Sequence, residues 1–166
     1  MELLLIRHAL PQRVETDDGS PADPRLAALG HQQAAALAAW LADERIDAIY
    51  TSPLRRAVET AAPLAAAHGL TPVVEDGVAE WDRAADAYIP IEELRATDDP
   101  RWAAMVAGDW SYGQAVPVDP VEFARTVVTS IEGIVDRHPG QQVAVVAHGG
   151  IVNVYTARVL GTDRFM

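Results

Sequence analysis

Residues 1–10 read MELLLIRHAL. The apolar run Leu3 to Ile6 leads straight into Arg7 and His8. A short apolar run of this kind reads as a buried strand, and such a strand ordinarily stops at Gly, Pro, Asn or Asp. Stopping at a cation followed by an imidazole points to an anion at the strand end.

The rest of the chain places that strand in a sheet. IDAIYT (residues 46–51), TPVVED (71–76) and QVAVVAHGG (142–150) read as three further strands. Helical stretches lie between them. In residues 26–44, the apolar residues Leu29, Ala36, Leu37, Trp40 and Leu41 recur at helical spacing. SPLRRAVETAAPLAAAHG (52–69) is expected to open with Ser52 as N-cap and Pro53 at the first helical position. Pro63 is expected to kink that helix or end it early, and Gly69 closes it. Asp119 caps a helix that runs to a Pro139-Gly140 turn, and a last helix follows the two glycines after His148. Alternating strands and helices predict an α/β fold, a three-layer sandwich with a mostly parallel central sheet flanked by helices. Residues from about 80 to 119 read as an irregular, partly helical insertion in a single domain spanning 1–166.

Composition removes whole classes of function. The chain has 166 residues, 49% of them hydrophobic, enough for a real core. No apolar run is long enough to span a bilayer, and the N-terminal stretch lacks a signal-peptide pattern, so a cytoplasmic location is expected. Cysteine is absent, which removes disulfides, thiolate metal sites and cysteine nucleophiles. All 13 basic residues are arginine, so neither a P-loop lysine nor a Schiff base is available. A formal net charge of -11 repels polyanions and makes nucleic acid a poor partner.

In a parallel sheet, ligands bind beyond the carboxyl ends of the strands. Arg7 and His8 follow the first strand, Ser52, Arg55 and Arg56 the second, Glu80 the third, and His148 the fourth. Taken singly, each has an ordinary explanation as a solvated strand end, a helix cap or a surface charge. Their convergence on one sheet edge is the signal. Arginine forks bind phosphate oxygens, a neutral histidine is a nucleophile toward phosphorus, and a carboxyl can protonate a leaving oxygen. The two arginines would hold a histidine neutral and would repel a cation, so a metal bound by His8 and His148 is not expected. Their place at a helix N-terminus, where the dipole disfavours cations, also points to an anion. His31, His68 and His138 lie away from the strand tips and carry no assigned chemistry.

Four motifs give the sequence a resemblance to the histidine phosphatase superfamily, the phosphoglycerate mutase-like family. LLLIRHA resembles the family's strand-Arg-His-Gly opening, with Ala9 in place of Gly. LAALGHQQA resembles its Leu-x-x-x-Gly-x-x-Gln-Ala helix start through Gly30 and Gln33. IYTSPLRRAVETA resembles its Ser-Pro-Leu-x-Arg-Ala-x-x-Thr-Ala signature, and VVAHGGIV its His-Gly-Gly strand end. The resemblance implies that His8 is phosphorylated, that Arg7, Arg56 and His148 form a phosphate pocket, and that Glu80 is the proton donor. It leaves out Arg55, which falls on a variable position. It also implies a small phosphorylated metabolite as substrate, with no cofactor, no nucleic acid and no membrane. A homodimer stays open.

Some positions depart from the family pattern. Val14 stands where the family often has Asn, with Arg13 beside it as a candidate replacement. The Arg-His pair that follows the acid in family mutases is missing from EWDRAAD (80–86). The chain stops at GTDRFM (161–166), where family members usually continue into another strand, so a truncated C-terminal end is expected. A phosphomonoesterase acting through a phosphohistidine is the leading expectation. A phosphoglycerate mutase and a non-catalytic phospholigand-binding domain are the alternatives. The insertion is expected to cover the site and set specificity.

Overall fold

The structure, a computed structural model, describes residues 1–109 and 119–162. Its centre is a four-stranded parallel sheet in the order β1, β6, β3, β4, formed by β1 (Glu2–Arg7), β6 (Gln142–Ala147), β3 (Ala48–Thr51) and β4 (Val73–Val74). Every neighbouring pair is parallel, so each connection must cross over the sheet, and helices make those crossings. β6 lies in the middle, and Val143 to Ala147 are all fully buried. That burial on both faces explains why VAVV is continuously apolar and does not alternate.

Side chains alternate across the pleat and divide the core in two. Leu4, Ile6, Ile49, Ala144 and Val146 pack toward α1 (Ala28–Trp40) and α2 (Arg55–His68). Leu3, Leu5, Tyr50, Val143, Val145 and Ala147 pack toward α5 (Pro120–Arg137) and α6 (Gly149–Leu160). These are the three expected layers. Asp119 caps α5 as expected, accepting from the backbone N–H groups of Val121 and Glu122.

Several local expectations are corrected. Of the helically spaced apolar residues, Leu41 is buried and Leu37 packs against the core, but α1 also buries Gly30, Ala34 and Ala38 and leaves Trp40 79% exposed. α1 packs against the alanine-rich side of α2, and small side chains let the two helices approach where bulky ones would not fit. Ser52 is not an N-cap. α2 begins at Arg55, after Leu54, and no side chain caps it. Pro63 does not end α2, which continues to His68 and closes on Gly69 at φ 64°. The third predicted strand shrinks to the two exposed residues of β4 at the sheet edge.

The predicted insertion contains more regular structure than its sequence indicates. β5 (Ala87–Tyr88) pairs antiparallel with β2 (Val14–Glu15), and α3 (Ile91–Ala96) and α4 (Pro100–Val106) follow. Asp99 caps α4 by accepting from the N–H of Arg101. The insertion's residues 110–118, and residues 163–166 at the end where a truncated C-terminus is expected, lie outside the described residues.

Candidate active site

Strand register places the site. Arg7 of β1 lies opposite Ala147 of β6, and Thr51 of β3 opposite Val146. The N–H of His8 donates to Ala147 O at 2.9 Å, and the N–H of Ser52 to Val146 O at 3.0 Å. His8, Ser52 and His148 therefore leave the sheet side by side at its carboxyl edge.

His8 is buried, with its ring centroid 5.1 Å from that of His148. Its Nδ1 lies 2.8 Å from Ala9 O. A carbonyl can only accept, so the neutral ring carries its proton on Nδ1 and presents a lone pair on Nε2. Burial lowers the His8 pKa to about 3; Arg56 and Arg7 push the same way, and the Ala9 carbonyl opposes them. His148 is fully buried, and burial first, then Arg56, His8 and Arg7, holds it neutral. Its Nε2 meets Ser52 Oγ at 2.7 Å, while its Nδ1 has no hydrogen-bond partner. Ser52 Oγ also accepts from the N–H of Leu54, so the serine organises the turn ahead of α2 while it orients His148.

Arg56 is 1% exposed. Its Nη2 donates to Asp82 Oδ1 at 2.8 Å, its guanidinium carbon sits 4.5 Å over the centre of the Tyr88 ring, and its Nε has no partner. The anion inferred at this helix start is thus supplied in part by the chain itself, through Asp82. A guanidinium has five N–H donors, so several remain for a ligand.

Glu80 is buried against the start of α6. Its Oε2 accepts from the N–H of Gly150 at 3.0 Å and its Oε1 from that of Trp81 at 3.2 Å. Burial raises its pKa, and the nearby Asp82 charge adds to the rise. The two N–H groups and Arg56 act the other way and are outweighed. A methyl group at position 150 would overlap the Glu80 carboxyl, so glycine is required there for close approach.

Arg7 lies nearer the surface and meets Glu92 at 3.1 Å. Arg13 does not stand in for the missing Asn: Glu15 and Glu93 hold it at the surface. Arg55 is exposed, and its backbone N–H is taken by Asp23. The loop after His8 is clamped from three sides. Ala9 N–H donates to Thr60 Oγ1, Leu10 N–H to Gln33 Oε1, and Leu10 O accepts from Ala27 N–H. Gly30 packs where any side chain would collide with Leu10 O.

Arg7, His8, Arg56, Glu80 and the backbone of Gly149 and Gly150 line one end of a cavity of about 650 Å³. The segment 81–109 and α6 line the rest. Among the described residues no group of three or more His, Asp or Glu side chains is placed to hold a metal ion, and no helix is long and apolar enough to cross a membrane.

A sequence model of the histidine phosphatase superfamily (branch 1) matches residues 3–164. The chain belongs to this superfamily. It is 29% identical over 177 residues to phosphoserine phosphatase 1 of Hydrogenobacter thermophilus, covering 98% of this chain and 78% of that protein. It is 30% identical over 176 residues to the glucosyl-3-phosphoglycerate phosphatase of Mycolicibacterium vanbaalenii, covering 96% and 74%. The mycobacterial glucosyl-3-phosphoglycerate phosphatase in complex with VO3 shares the fold, with a TM-score of 0.72, 24% identity and coverage of 98% and 82%. Both sequence relatives are phosphatases of this superfamily.

Asp82, Tyr88 and Ser52 shape this superfamily site, yet none is assigned to it from sequence. Asp82 lies two residues beyond Glu80 in EWD, a visible carboxylate whose partner 26 residues earlier no local pattern reveals. Tyr88 reaches Arg56 because β5 pairs with a two-residue strand that has no periodic signal. Ser52 lies inside the motif that carries the resemblance, and its sequence context is that of a cap, because Ser-Pro before a helical stretch is the usual capping pattern.

Proposed function

We propose that the protein is a phosphomonoesterase that transfers a phosphoryl group to His8 and then to water. The observation that carries this is the His8 ring: neutral, buried beside Arg7 and Arg56, with its proton held on Nδ1 by Ala9 O and its Nε2 lone pair available. Nε2 attacks phosphorus in line with the ester oxygen, and that P–O bond breaks. The Ala9 carbonyl stabilises the positive charge that develops on the ring. Arg7, the free donors of Arg56 and the unpartnered Nδ1 of His148 bind the phosphoryl oxygens. Glu80, kept protonated by burial, gives its proton to the departing alkoxide. Water then attacks the phosphohistidine, Glu80 takes the proton back, the P–N bond breaks, and His8 returns to its neutral form.

The substrate class is a small phosphorylated molecule, which the relatives' activities and the cavity's size both support. Rapid quench with a ³²P-labelled ester tests the covalent step. An acid-labile, base-stable adduct on His8, absent from His8→Ala, is expected. A hydroxylamine-labile adduct, or near-native turnover by His8→Ala, would overturn the reading.

A further inference from the structure

Beyond the phosphate end, the cavity is largely apolar. Trp81, Ile89, Leu94, Trp102, Met105 and Val152 line it. These side chains come from the segment after Glu80 and from α6, so they surround whatever organic group the phosphate carries.

The arginine of this outer region is already paired. Three arginines line the cavity. Arg101 gives Nε and Nη2 to its neighbour Asp99 at 2.8 and 2.7 Å, and that pairing holds the Asp99 pKa at about 2. Arg56 is paired with Asp82. Arg7 meets Glu92, but both side chains are about half exposed, and an exposed pair of this kind is weak enough for a phosphate to displace. Among the described residues, the exchangeable cation of this cavity, Arg7, therefore sits at the phosphate end. Asp86 and Asp109 are also on the lining. Residues 110–118, WSYGQAVPV, contain no charged side chain that could add a cation. Among the described residues, a second anionic group on the substrate would meet carboxylates, indole rings and one arginine whose charge is already matched by Asp99.

We propose that this site selects phosphomonoesters of uncharged, apolar alcohols carrying a group about the size of an aromatic ring, and discriminates against esters with a second anionic group. This rests on the phosphohistidine reading above and adds the substrate class. The rings and aliphatic chains gain by burying an apolar partner, whereas a carboxylate loses its hydration with nothing in return.

The test compares three esters of primary alcohols, so that the leaving groups are chemically alike: 2-phenylethyl phosphate, glycerol 3-phosphate and 3-phosphoglycerate. For the wild-type protein, kcat/KM should be at least tenfold higher for phenylethyl than for glycerol phosphate, and lowest for 3-phosphoglycerate. Trp102→Ala should shrink the phenylethyl-to-glycerol ratio at least fivefold. Calorimetric binding of the three esters to His8→Ala should show the same order. Equal or reversed kcat/KM or binding would overturn the proposal, and so would a ratio unmoved by Trp102→Ala. Correctly ordered binding without turnover or a trapped adduct by the wild-type protein would overturn the phosphohistidine reading and leave this one standing.

Discussion

The carboxylate of Asp82 lies 2.8 Å from Nη2 of Arg56, and it is also one of the two main reasons the Glu80 carboxyl holds its proton. One residue, two positions beyond the proposed acid, thus fixes the arginine proposed to bind phosphate and tunes that acid.

Asp82→Asn separates the two roles. The amide keeps an acceptor for Arg56 but removes the charge that faces both Arg56 and Glu80. Losing a buried counter-ion costs about 3 kcal/mol, at the low end for broken buried pairs because the acceptor remains. The Glu80 pKa should fall, since the negative neighbour that raised it is gone. The alkaline limb of kcat/KM for an alkyl phosphate should therefore move to lower pH than in the wild type, with substrate ionisation common to both. An unmoved alkaline limb would remove Asp82 from the tuning of Glu80.

Glu80→Gln should show a leaving-group signature. An alkoxide needs a proton as it departs, whereas nitrophenolate leaves without one. In single-turnover phosphorylation of His8, the variant should lose far more rate with 2-phenylethyl phosphate than with nitrophenyl phosphate. Dephosphorylation, where Glu80 activates water, should slow for both alike. An equal loss in the first step would disqualify Glu80 as the acid and turn attention to Asp82, Asp86 or Glu92.

Gly150→Ala tests the same group by steric means. The new methyl must push the Glu80 carboxyl away and disturb its bond from the Gly150 N–H. Misplacement of a catalytic group by about 1 Å costs on the order of 100-fold. Turnover of 2-phenylethyl phosphate should fall by about that factor, while phosphorylation of His8 by nitrophenyl phosphate falls much less. Full activity in a variant that still melts cooperatively would mean that the acid does not need this seat.

His8 also leaves a mark on stability. Unfolded histidine titrates near 6.5, whereas folded His8 is held to about 3 by burial. Below about pH 6.5 the unfolded chain takes up a proton that the folded one refuses, so stability falls as pH drops toward 3. His8→Ala lacks that term. The stability of the wild type relative to the variant should therefore decline from pH 6.5 to 4.5, by at most about 1.4 kcal/mol per pH unit. Urea unfolding midpoints at a series of pH values measure it, and a gap that stays constant would show that His8 titrates normally.

The architecture, and the meeting of Arg7, His8, Arg56 and His148 at one sheet edge, are legible in the chain. Arg7-His8, Ser-Pro-Leu-Arg-Arg and His-Gly-Gly each follow an apolar strand, and parallel strands deliver the residues after them to one edge. Periodicity and the succession of elements along the chain are local properties, so they can be read from the sequence. The partners of these residues come from the folded arrangement. It turned Ser52 from an expected cap into the neighbour of His148, 96 residues away, and it buried Gly30, Ala34 and Ala38 while leaving Trp40 exposed. It set Asp82 and Tyr88 on Arg56 through a two-stranded pairing too short to leave a pattern. Those contacts depend on how closely helices pack and where a loop returns. These are set by the summed shape of surfaces distant in sequence, and no local spacing encodes that sum.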